Sequence, residues 1–147
     1  MQDIIQREIL IQASQEAIYQ AIADPDQVVK WFPETLEGEY KPDSQPIFGF
    51  GDHGKSRVYI VAAKPHTYFA YRWVPGTNQL TEDIQSVPNT LVEFIIPAAN
   101  EGVCTVTLKE TGFAALPAPM GEDAIKQNSG GWDFMLDRLE TLFNQKQ

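Results

Sequence analysis

The feature that most restricts this chain is a change of hydrophobic period. Over residues 35–110 apolar and polar residues alternate in short runs closed by Pro, Gly or Asn, whereas over residues 125–143 the apolar residues recur every third and fourth position. A period of two puts alternate side chains on one face of a strand, and a period near 3.6 puts them on one stripe of a helix. Strands followed by a long amphipathic helix predict an α+β arrangement: an antiparallel meander with one apolar face, and a C-terminal helix that covers it.

In detail, residues 36–40 and 47–50 form the first predicted pair, and residues 57–63 offer Val58, Ile60 and Ala62 to one face. Phe69, Tyr71 and Trp73 alternate with Tyr68, Ala70 and Arg72 in the next strand. The last two strands carry Val92, Phe94 and Ile96, then Cys104, Val106 and Leu108, and meet at a turn near residues 100–102. The helix stripe is Ile125, Trp132, Met135, Leu136, Leu139, Leu142 and Phe143. Residues 75–89, with Gly76, Asn78, Thr81, Ser86 and Pro88, exceed a usual hairpin loop and read as a mobile flap.

Upstream, the β-branched content of residues 4–11 favours a first strand. Ser14 is placed to cap a helix with Glu16 in its first turn and Ile18, Ala21 and Ile22 on one side. Asp24-Pro25 ends that helix and starts a second, short one carrying Val28, Val29, Trp31 and Phe32 before Pro33 stops it. The expectation is a curved antiparallel sheet of about seven strands around a long C-terminal helix, with two short helices after the first strand. At 147 residues and without an internal repeat, residues 1–147 form a single domain in this reading.

Composition narrows the partners. A net charge of -9 and the absence of a Lys/Arg cluster disfavour nucleic acid and anionic membrane surfaces. No apolar run approaches the roughly 20 residues that span a bilayer, and the first residues lack the basic start and apolar block of a signal peptide. Cys104 is the one cysteine, which fits a cytoplasmic location. With His53 and His66 it has no metal-ligand spacing, and Gly49-Phe50-Gly51 is no phosphate loop, so neither metal nor cofactor is expected. No Cys-His pair or nucleophile elbow appears, and no catalytic residue is assigned.

Four short strings carry a family resemblance: Arg7-Glu8-Ile9 with Ala13-Ser14; Asp24-Pro25 followed by Trp31-Phe32-Pro33; Glu110-Thr111-Gly112-Phe113; and Asn128-Ser129-Gly130-Gly131-Trp132 with Leu136 and Leu139. In order and spacing they resemble the START-like or SRPBCC superfamily, the helix-grip fold, and within it the bacterial single-domain family named for activators of heat-shock protein 90 ATPase. The resemblance spans essentially the whole chain and implies a cavity between sheet and long helix. Three functions follow as expectations: binding of a small hydrophobic molecule, lipid or aromatic; co-chaperone-like stimulation of a chaperone ATPase; or aromatase-cyclase or hydrolase chemistry using Glu110 and Asn128. Read as a single domain, the chain is expected to lack the further chaperone-binding domain that the eukaryotic activators carry. Partners under these readings are a small apolar molecule or a chaperone, with the chain a monomer or homodimer.

For such a cavity the wall candidates are Phe48, Phe69, Tyr71, Trp73, Phe94 and Val106, with plain core packing the default reading for each. Trp31 and Phe32 read as an aromatic gate or as an anchor to the sheet. From the helix come Asn128, Trp132 and Met135, with an inward Asn128 amide in need of a partner. Gly130-Gly131 costs helix stability, about 1 kcal/mol per glycine, and reads as a kink, close packing or room for a ligand. Glu110 continues the face of Cys104, Val106 and Leu108; exposure or pairing with Arg57 or Arg72 is its ordinary fate, recognition of a polar group at a cavity mouth its alternative. His53 and His66 sit in turns, where a surface position is the default.

Overall fold

The computed structural model describes residues 3–75, 83–117 and 119–144, apart from the side chains of His53 and Asn144. Seven strands run in the order β1 (Ile4–Ile11), β2 (Thr35–Glu37), β3 (Ile47–Gly49), β4 (Lys55–Lys64), β5 (Tyr68–Trp73), β6 (Thr90–Ile95) and β7 (Cys104–Thr111). The helices are α1 (Gln15–Ala23), α2 (Pro25–Val28) and α3 (Met120–Asn144). The strands form one antiparallel sheet ordered β1-β7-β6-β5-β4-β3-β2. Strands β2 to β7 are a meander, and α1 and α2 carry the chain from one edge, β1, to the other, β2.

Local chemistry sets these elements. The Ser14 hydroxyl accepts from the Ala17 amide at 3.0 Å, which caps α1. Asp24 ends α1 through its N–H to the Gln20 carbonyl and starts α2 by accepting from the Asp26 amide at 2.8 Å, with Pro25 in the first turn. Ile18, Ala21 and Ile22 face the core as their spacing predicts.

The inner face of the sheet is read directly from the register. Ile60, Tyr71, Val92, Glu110 and Ile5 form one row across β4, β5, β6, β7 and β1, and Phe69, Phe94, Leu108 and Arg7 form another across β5, β6, β7 and β1. Against this face α3 packs Ala124, Ile125, Trp132, Leu136 and Leu139, all buried. Arg7, from the second row, reaches the helix through an ion pair with Asp133 at 2.7 Å.

The structure departs from the periodic reading in four places. β2 ends at Glu37 instead of reaching residue 40, because Gly38 turns the backbone at a φ of +100° against Pro46; Tyr40 leaves the sheet and donates its hydroxyl to the Ile22 carbonyl. In β4 a bulge between Ile60 and Ala62 inverts the alternation. Val61 is left exposed, and Ala63 packs on the core opposite Phe69 in place of Ala62. Trp31 and Phe32 lie past the end of α2, not on it.

The fourth departure is the flap. Residues 76–82, with Gly76, Asn78 and Thr81, lie outside the described residues. Residues 83–89 are tied down: Asp83 caps a single 3-10 turn, Ile84 is buried, and the Gln45 side chain bonds to both Asp83 and the Ile84 amide. Asn89 accepts from Arg72, whose side chain points away from the inner face because Tyr71 and Trp73 point toward it. This segment therefore runs over the outer face of the sheet, away from α3.

Candidate functional site

Glu110 is the polar centre of the inner face. It is fully buried, and its carboxylate accepts from four side chains. Trp73 Nε1 and Thr90 Oγ1 donate to Oε2 at 2.9 and 2.6 Å. Asn128 Nδ2 and Trp132 Nε1 donate to Oε1 at 2.9 and 2.7 Å. Asn128 and Trp132 reach the same oxygen because a four-residue step returns to the same helix face. One carboxylate oxygen thus binds the sheet and the other binds α3.

This placement replaces the ordinary expectation for Glu110, which was exposure or an arginine partner. Arg57 and Arg72 alternate to the outer face, where they donate to the Gln45 carbonyl and to Asn89. A carboxylate offers about four lone-pair sites, and the four neutral donors occupy them. Hydrogen bonds to a charged group contribute about 1.5–3 kcal/mol each, which offsets a desolvation penalty of several kcal/mol.

Beside the two indoles lies a pocket of about 140 Å³, lined by Phe32, Phe50, Trp73, Asn128, Gly131, Trp132, Phe134 and Met135. Phe32 is its hub, with ring centroids 5.3 Å from Trp132, 5.6 Å from Phe50 and 5.9 Å from Trp73. Phe134 stands at the rim, 62% exposed. At Gly131 an added Cβ would meet no atom within 4 Å, so α3 runs unbroken beside open space. Of the three readings of the glycine pair, close packing falls away.

Five residues named from the sequence line this pocket: Phe32, Trp73, Asn128, Trp132 and Met135. The inward Asn128 amide finds its partner in Glu110. Phe48, Phe69, Tyr71, Phe94 and Val106 are packed into the core behind it, each at most 1% exposed. Trp31 is an anchor: its indole donates to the Ala21 carbonyl at 2.9 Å, and its ring meets Phe94 edge-on. The Tyr71 hydroxyl is buried without a hydrogen-bond partner among the described residues. Burial, then the Glu110 carboxylate and Tyr40, raise its pKa well above the ordinary 10.0.

Phe50, Thr90 and Phe134 were not singled out from the sequence. Phe50 repeats the inward phase of Phe48, and Thr90 that of Val92, so alternation held a signal for both. Phe134 stands out only as an aromatic residue off the apolar stripe. Elsewhere, burial pushes the Cys104 thiol above its ordinary 9.0, the direction that suppresses thiolate chemistry. His66 is half-buried in the β4–β5 turn at a φ of 114°, its ring edge-on to Tyr19. Among the described residues no group of three or more His, Cys, Asp or Glu could hold a metal ion, and no helix is long and apolar enough to cross a membrane.

The family model described as activator of Hsp90 ATPase homolog 1-like protein matches residues 12–144. The chain belongs to this family. None of the curated proteins matches the sequence. Among solved structures, this Hsp90-activator-like chain is similar to the Aha1 dimer from Colwellia psychrerythraea, with a TM-score of 0.77 and 20% identity over 97% of this chain and 96% of that one. Protein MLL2253 from Mesorhizobium loti matches with a TM-score of 0.78 and 16% identity over 98% of both chains. DynU16, from the dynemicin biosynthetic locus, matches at 0.78 and 18% identity over 99% of this chain, which spans only 48% of DynU16. At these identities the likeness shows the shared START-like, SRPBCC-type fold. Within this Hsp90-activator-like chain, three of the four strings that carry the resemblance converge: Phe32, Glu110, Asn128 and Trp132 meet at one carboxylate and the pocket beside it.

Proposed function

We propose that this chain, acting as one domain in the cytoplasm, binds a small hydrophobic molecule whose apolar end enters the pocket between α3 and the sheet. The observation that carries this reading is the lining: five aromatic rings and Met135 around about 140 Å³, with Asn128 as the polar contact. A cavity near 150 Å³ accommodates a benzene-sized group, whereas drug-sized ligands take about 300–1,000 Å³. A single ring or a short branched alkyl group therefore suits the pocket better than a whole lipid. Asn128 commits its amide nitrogen to Glu110, which leaves its carbonyl oxygen to orient a donor on the ligand.

Titration with single-ring aromatic compounds, followed through the indole N–H signals of Trp73 and Trp132, tests the proposal. Binding is expected to shift both signals and leave Trp31 unmoved. Gly131→Leu, which points a side chain into the open space, is expected to weaken binding at least tenfold in a folded protein. Unchanged affinity in that variant would remove the pocket as the site.

A second reading rests on family membership: stimulation of a chaperone ATPase. Its test is the ATP turnover of the host heat-shock chaperone with and without this chain, and an unchanged rate counts against it. The enzymatic reading finds less support, because the lone-pair sites of Glu110 are occupied and a general base needs one vacant.

A further inference from the structure

We infer that the group this pocket selects is an organic cation, a quaternary or methylated ammonium carried by a free small molecule. The inference rests on the binding reading above and adds the sign of the ligand's charge. An apolar pocket that only buried hydrocarbon would be served by aliphatic walls. Here Phe32, Phe50, Trp73, Trp132 and Phe134 supply five rings, two of them indoles. Ring faces carry negative potential, indole most of all, and rings grouped about a cavity attract ammonium groups whose methyls shed water easily.

The second observation is the carboxylate behind those rings. Both pocket indoles donate their N–H to Glu110, at 2.9 and 2.7 Å, which pushes electron density into the ring systems. Glu110 is fully buried, and every side chain bonded to it is neutral, so its charge acts across a poorly screening interior. No Lys, Arg or His lines the pocket among the described residues. The net charge of -9 adds a long-range field of the same sign. A carboxylate or phosphate ligand would meet repulsion from all of these, and a neutral one would gain nothing from the carboxylate or the net charge.

The matched pair choline and 3,3-dimethylbutan-1-ol isolates the charge, since the two differ by nitrogen in place of carbon. Choline is expected to bind about tenfold more tightly, with shifts at the Trp73 and Trp132 indole N–H signals, and to weaken with added salt while the alcohol does not. Equal affinity for the two would overturn the cation assignment and leave the apolar-pocket reading standing. No response to either, together with none to the aromatic compounds above, would defeat both. Phe134→Leu keeps apolar bulk at an exposed rim position where folding is not at stake. It should cost choline at least threefold and the alcohol less than twofold; equal losses would overturn the inference. Sedimentation with phosphatidylcholine vesicles without any choline response would assign the site to a lipid surface and refute the free cation.

Discussion

At the scale of single residues, Glu110 decides how α3 is held. Four donors from β5, β6 and α3 converge on it, and among the described residues none has another acceptor. Glu110→Gln keeps the shape but turns an amide NH2 toward one oxygen's donors. The Thr90 hydroxyl can rotate and accept from that NH2, whereas the Trp73 N–H cannot. The substitution is therefore expected to destabilise the fold by about 2 kcal/mol in urea denaturation, and Glu110→Ala by more, because it orphans all four donors. A loss below about 0.5 kcal/mol for Glu110→Gln would mean that the network is not a stabilising feature.

At the scale of elements, α3 keeps two glycines where nothing crowds them. An added Cβ at Gly130 would meet nothing within 4 Å, and the position is solvent-exposed. Alanine removes backbone freedom from the unfolded chain, so Gly130→Ala is expected to stabilise by about 0.5–1 kcal/mol, or roughly 1–4 °C in Tm. An unchanged or lower Tm would mean that the gain in backbone entropy is not realised at this position. The Arg7–Asp133 pair joining α3 to β1 is short, but its partners are 33% and 63% exposed, and exposed pairs contribute about 0–1 kcal/mol.

At the scale of the whole molecule, burial of tyrosines sets the alkaline limit. Tyr40 and Tyr71 have pKa values held well above 10.0, chiefly by removal from water. Above pH 10 the unfolded chain releases protons that the folded chain keeps, so their contribution to stability is full below that pH and falls as pH rises past it. The slope is about 1.4 kcal/mol per pH unit for each such group. Urea midpoints at increasing pH should fall accordingly, and Tyr71→Phe should make the fall shallower. Superimposable profiles for the two proteins would exclude Tyr71 as a cause.

Periodicity and end signals alone determined most of the scaffold. Alternation placed Phe69, Tyr71, Phe94, Val106 and Leu108 on the inner face, Ser14 and Asp24 marked the starts of the first two helices, and the stripe from Ile125 to Leu139 named the face of α3 that meets the sheet. These are local properties, fixed by backbone geometry over a few neighbouring residues. Period reveals which face a side chain takes, but not the depth at which it ends. Only the tertiary structure decided that Phe32, Trp73 and Trp132 border open space while Phe69 and Phe94 do not, and that a bulge sends Ala63 inward. The same holds for Glu110, whose donors lie 18 to 37 residues away in sequence. A carboxylate is tolerable in a core only when such distant groups arrive together, and no local pattern encodes their meeting.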